Sequence, residues 1–259
     1  MGTVTATLVL TWGKAGILLA VGVAAGIFNG VAGGGTLLAF PTLLALGVPA
    51  LTANLTSAVG VVPSYVGGVA GFRSEIKDLR HQIRRLLPAI ILGGAAGSLL
   101  LLTTPATSFR SIVPWLVGLA TVLFAAQPLV AKAMRSIGHD HPTRRLLLQI
   151  GTAATAVYGG YFGAGMGVML LAVFGIALVD SLAHLSGLRS ITSVIVNGLA
   201  ALIFVFSGHV LWLPALCLAL GTLAGGWAGA TWARTLPVPV LRIIVVAVGT
   251  ATTIVLFAN

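Results

Sequence analysis

The stretch AGIFNGVAGGGTLLAFPTLLALG, residues 25–47, has no charged residue, yet it carries three consecutive glycines, Gly33, Gly34 and Gly35, and then Pro41. Apolar chain of this length forms a helix in a membrane, because the bilayer core offers no water to unpaired backbone groups. Glycine loses the most chain freedom in a helix, and an interior proline removes a donor and crowds the preceding turn. The stretch therefore reads as a membrane segment whose helix is told to stop. An interruption at that depth survives only where protein or a wet cavity supplies hydrogen-bond partners.

The rest of the chain places this stretch in a bilayer. Of 259 residues, 58% are hydrophobic and only 7% are charged, and the mean hydropathy is +1.10. So few charges cannot cover a soluble domain of this size. No Asp, Glu, Lys or Arg lies between Lys14 and Arg73, between Arg85 and Arg110, between Arg145 and Asp180, or between Arg189 and Arg234. A spanning helix needs about 20 apolar residues, and Leu/Ala/Gly-rich runs without two-residue alternation exclude a β-barrel.

The formal net charge of +10 sits mainly in two short loops. Residues 73–85 (RSEIKDLRHQIRR) hold five basic and two acidic residues, and residues 132–145 (KAMRSIGHDHPTRR) hold four basic and one acidic. By the positive-inside rule both are cytoplasmic, with two crossings between them at 86–103 and 110–131. Without a basic face carrying interleaved aromatics, nucleic acid is not expected as a partner. The single cysteine, Cys217, forms no intramolecular disulfide and says nothing of redox compartment. The first residues lack a basic n-region and do not read as a cleaved signal peptide.

The chain also repeats itself. GGAAGSLLLLTTPATSFRSIVPWL (93–116) lies over GGWAGATWARTLPVPVLRIIVVAV (225–248) at an offset of 132, pairing Gly93 with Gly225, Pro105 with Pro237 and Arg110 with Arg242. GIFNGVAGGGTLLA echoes GGYFGAGMGVMLLA, with Gly33 and Gly35 on Gly165 and Gly167 at the same shift. Transporters are commonly built from such repeats. The domains are a first transmembrane repeat at 1–131, a cytoplasmic linker at 132–145 and a second repeat at 146–259. The run 15–72 would span about 87 Å as one helix at 1.5 Å per residue, which fits two full helices and a short or broken one. That odd count makes the second repeat inverted; a parallel arrangement would place the turn carrying Arg234 and Arg242 outside, against the charge rule. The expected fold is an all-α polytopic membrane protein with 8–10 membrane segments. It consists of two homologous repeats in inverted orientation, with broken or short helices near the midplane.

A half-helix starting after Gly35 would aim its first amides into the break with partial positive charge, which attracts anions without any cation. Gly163, Gly165 and Gly167 offer the same in the second repeat. Close helix packing is the competing reading for all such glycines and the preferred one for Gly93, Gly94, Gly97, Gly225, Gly226 and Gly229. Polar clusters at membrane depth extend the candidate site. TANLTS contributes Asn54, Thr56 and Ser57, RSITSVIVN contributes Ser190, Thr192, Ser193 and Asn197, and Asn29 precedes the first break. Such hydroxyls also back-bond to their own helix. Arg189 either neutralises an anionic substrate or snorkels to an interface, with Asp180 as a candidate partner. His184 is either a proton carrier near neutral pH or, the preferred reading, an interfacial turn histidine. There is no metal-ligand spacing, nucleophile–base motif or Walker loop, so neither catalysis nor a cofactor nor a metal is expected.

These motifs resemble the TauE/SafE family of sulfite-exporter-like permeases, from about residue 15 onward. The resemblance implies a multi-pass protein of the bacterial inner membrane that moves small sulfur-containing oxyanions such as sulfite or organosulfonates. A channel-like anion pore, or a permease for another small anion, is the alternative. A coupling ion (proton or sodium) and a homo-oligomer are compatible with this class. Val173 stands where the first repeat has Pro41, so the two half-sites are expected to be unequal.

Overall fold

The structure is a computed structural model that describes residues 11–31, 33–136, 144–178, 180–232 and 238–258. Among these residues there are eleven α-helices and no strands: α1 (Trp12–Val31), α2 (Thr36–Ala45), α3 (Ala50–Gly71), α4 (Arg73–Asp78), α5 (Arg80–Thr103), α6 (Ala106–Ser136), α7 (Arg144–Tyr161), α8 (Met166–Ala177), α9 (Leu182–Val205), α10 (Trp212–Trp232) and α11 (Val238–Ala258). Five of them are long and apolar enough to cross a bilayer: α1, α5, α6, α9 and α10. α3 is long enough too, but its hydropathy is lowered by Asn54, Thr56, Ser57 and Ser64, all buried. The protein is thus turned inside out relative to a soluble one. Leu92, Trp115, Leu213 and Ile243 stand exposed, while asparagines, hydroxyls and one arginine lie inside.

The run 15–72 holds two long helices, α1 and α3, around the short α2. Helix α1 ends at Val31 and α2 begins at Thr36, so the glycines do stop the helix. Pro41 does not. It lies buried inside α2, which continues to Ala45, because losing one interior donor is tolerated where neighbouring elements cover the turn. The second repeat is interrupted in the same way between α7 and α8. The segment read as a linker, 132–145, falls mostly outside the described residues; 132–136 continue α6, and Arg144 and Arg145 open α7.

Two glycine seams hold the helices together. Gly22 and Gly26 of α1 face Gly221, Gly225 and Gly229 of α10, where a methyl group on Gly225 would land on the Val23 carbonyl. Gly93 and Gly97 of α5 meet α7 in the same manner, with the Gly97 position pressed on the Val157 carbonyl. Close backbone approach is the packing mode available where lipid removes the hydrophobic drive between helices. The contacts respect an exchange of the two halves: α1–α10 mirrors α7–α5, α3–α10 mirrors α9–α5, and α2–α11 mirrors α8–α6. Helices α3 and α9 pack on each other and run antiparallel. The end of α3 lies beside the start of α9, where Phe72 and Glu75 approach Gly187, while near its start Thr56 accepts the N–H of Leu211 beyond the end of α9. Arg85 and Arg145, the last residues of the two basic segments, line a single groove.

Candidate substrate site between two helix breaks

At the first break, Gly33 adopts φ +77, a left-handed conformation open to glycine, and its N–H turns back to the Phe28 carbonyl at 3.0 Å. At the second, Gly163 adopts φ +80, and its N–H reaches the Tyr158 carbonyl at 3.3 Å. Each short helix then starts three residues on, at Thr36 and Met166. The backbone thus matches Gly33 with Gly163, two residues from the pairing by sequence shift; α8 is two residues longer than α2, which restores the register by its end.

The breaks meet. A methyl group built on Gly33 would lie 3.3 Å from the Gly167 Cα and 3.5 Å from Nη1 of Arg189. The Gly167 amide, in the first turn of α8, has no hydrogen-bond acceptor among the described residues. Arg189 is only 4% exposed and makes no hydrogen bond or ion pair among them. Burying a guanidinium without a carboxylate is costly, and the cost falls when an anion sits beside it. Asp180 is not that carboxylate. Its Oδ1 lies 2.5 Å from Nδ1 of His184, whose Nε2 is 3.7 Å from Asp78, and Ser181 caps this end of α9 by accepting the His184 N–H. That cluster belongs to the first basic segment and to the turn, as the histidine's position suggested.

Around Arg189 the other polar residues divide by what they already bond. Ser190 Oγ, Thr192 Oγ1 and Asn54 Oδ1 are buried without partners. Asn54 spends its Nδ2 on the carbonyl of Tyr161, the last residue of α7, so α3 caps the second break. Asn197 Oδ1 lies 3.3 Å from a methyl position on Gly163, and its Nδ2 donates to the Ser193 carbonyl. One face of α9 therefore carries Arg189 to the first break and Asn197 to the second, with Ser193 between at helical spacing. Buried polar atoms without protein partners are rare and call for an explanation.

Other candidates are structural in geometry. Gly34 faces the Phe124 ring of α6, Gly165 packs on Ala120, and Gly35 is wedged against the Ala25 carbonyl. Thr56 holds Leu211, and Ser57 bonds back to the Asn54 carbonyl. Asn29 clasps the first break. Its Oδ1 accepts the Gly35 N–H at 2.6 Å and its Nδ2 donates to Ser64 Oγ at 2.8 Å. Asn29→Ala leaves the buried Gly35 N–H unpaired, while Ser64 keeps its bond to the Val61 carbonyl, and is expected to cost about 1–3 kcal/mol of stability, read as a lowered melting temperature in detergent. Ser64 and Tyr65 were not singled out in the sequence. Tyr65 is buried against Thr36 and Asn29 and close enough to interact with the Arg189 charge. The signal was available, since Asn54, Ser57 and Ser64 recur at three and seven residues along one face of α3.

Interrupted helices meeting around buried polar groups, inside an apolar shell, define a polytopic membrane transporter with a small-molecule substrate. The sequence profile of the sulfite exporter TauE/SafE family matches residues 18–256, and the chain belongs to that family. It is similar to a probable membrane transporter protein of Haemophilus influenzae, 29% identical over 89% of each chain. It also resembles the probable membrane transporter protein ORF9 of a Sinorhizobium species, 25% identical over 91% of this chain and 89% of the relative. A third relative is the probable membrane transporter protein YfcA of Escherichia coli K12, 26% identical over 83% of this chain and 78% of that protein. No solved structure matches the chain.

Proposed function

We propose that this protein is a secondary carrier for a small sulfur-containing oxyanion, sulfite or an organosulfonate, across the bacterial inner membrane. One observation carries the reading: the buried Arg189 guanidinium, with no carboxylate partner among the described residues, lies where the two helix breaks touch. Its charge and the free Gly167 amide converge on one spot, a donor set suited to an oxyanion. Asn54 caps the second break and Asn197 lies beside Gly163, with Ser193 between Arg189 and Asn197 on α9, while Ser190 and Thr192 are buried on the same helix. The closed packing around Arg189 favours a carrier over an open pore.

The two halves are read as inverted repeats, which the antiparallel run of α3 and α9 and the exchange symmetry of helix contacts support. Loops 73–85 and 132–145 face the cytoplasm by their basic charge. The driving force is an ion gradient or the membrane potential.

Gly33→Ala tests the site. The substitution strains a left-handed residue and sets a methyl group against Gly167 and Arg189. Flux of labelled sulfite into proteoliposomes should fall about tenfold or more, the equivalent of about 1.4 kcal/mol. Gly208→Ala is the control, because Gly208 has φ +73 with open space around it, so it carries the same strain without the intrusion. Gly34→Leu would be a poor test, since any side chain there strikes Phe124. Unchanged flux in Gly33→Ala would remove the proposed site.

A further inference from the structure

Charge accounting around the site narrows what it accepts. The chain has four acidic residues, Glu75, Asp78, Asp140 and Asp180. Glu75 and Asp78 lie on α4, Asp180 is held by His184, and Asp140 lies in the basic segment 132–145, outside the described residues. The sequences of α1, α2, α3, α7 and α8 contain no carboxylate, and none follows Asp180 to the end of the chain. Among the described residues, a ligand bound between Gly33, Gly167 and Arg189 therefore meets the positive charge of Arg189 and no carboxylate.

From this we infer, resting on the anion-carrier reading, that the site accepts organosulfonates with a neutral tail and rejects those carrying an ammonium group. The ligand is itself the counter-charge of Arg189. For a tail hydroxyl, Asn54 Oδ1 on the helix that caps the second break is buried and unbonded and can accept its proton. An ammonium at the same place must shed its hydration and stand within a short aliphatic chain of a guanidinium, with no carboxylate to offset either cost. Like charges in a dry site discriminate strongly between partners of equal shape.

A matched pair tests this directly: 2-hydroxyethanesulfonate and 2-aminoethanesulfonate, which differ by a hydroxyl against an ammonium at neutral pH. Each competes with labelled sulfite for uptake into proteoliposomes holding the full chain. The hydroxyl compound should half-inhibit at a concentration at least tenfold below that of the amino compound. Parity, preference for the amino compound, or no competition by either would overturn the inference while leaving sulfite transport standing. Absence of saturable sulfite flux would instead overturn the carrier reading itself. Repeating the competition at a pH above the amine's titration, where the ammonium becomes neutral, should bring the two compounds together; a persisting gap would show that shape rather than charge separates them and would overturn the inference as well.

Discussion

Arg189→Gln is expected to abolish sulfite transport and at the same time to raise the temperature at which the protein unfolds. The two effects have opposite signs because they have different origins. The guanidinium is desolvated and faces no carboxylate among the described residues, so replacing it with a shorter, neutral amide relieves a standing cost. With an anion bound, the same charge is the strongest attraction in the site. Truncating one partner of a buried charged pair costs about 2–5 kcal/mol, roughly thirtyfold to several thousandfold in affinity. Thermal unfolding in detergent, with and without sulfite, reads both. The wild-type protein should be stabilised by added sulfite, and Arg189→Gln should start higher and fail to respond. A variant that melts lower and still responds would show Arg189 to be a structural anchor rather than a binding group.

The second large effect concerns assembly. Gly225→Val places a branched side chain on the Val23 carbonyl, and Gly97→Val does the same on the Val157 carbonyl. In both seams the obstacle is backbone, which cannot swing away as a flexible side chain can. Overpacking of this sort costs about 1–3 kcal/mol per added group even where neighbours adjust, and more where they cannot. Each variant should therefore lose the monodisperse peak in detergent size-exclusion chromatography, whether or not substrate is present. Gly118→Ala is the comparison, since a methyl there lies 3.5 Å from the Thr253 methyl, an ordinary contact, and should leave the peak unchanged. A normal Gly225→Val peak would mean that α1 and α10 are not in backbone contact.

Much of this fold is legible in the sequence because a bilayer makes composition speak. The lengths of the charge-free runs demanded α1, α3, α5 and α6, and the density of glycine at Gly33–Gly35 marked the interruption. Pro41 looked like a second stop, but the tertiary cover over α2 absorbs one missing donor. Asp180 looked like a partner for Arg189 because both lie on one segment, yet they are nine residues apart, and His184, one turn from Asp180, takes the carboxylate instead. What sequence leaves undecided is distance. Arg189 snorkelling and Arg189 buried at Gly33 are written identically in one dimension, and only the packing of α9 between the two breaks separates them. Thr56 and Ser57 fit a polar lining by type but spend their hydroxyls on Leu211 and Asn54, and residue identity alone gives no hint of that choice.

The clasp formed by Asn29 has a bearing on stoichiometry. By accepting the Gly35 N–H, its carboxamide oxygen fills the position at the mouth of α2 that an incoming oxyanion would otherwise take. At α8 no side chain among the described residues plays that part, and the Gly167 amide has no acceptor among them, close to the Arg189 guanidinium. Two breaks so unequally furnished should thus saturate at a single equivalent of solute, and an equilibrium titration by calorimetry would count it.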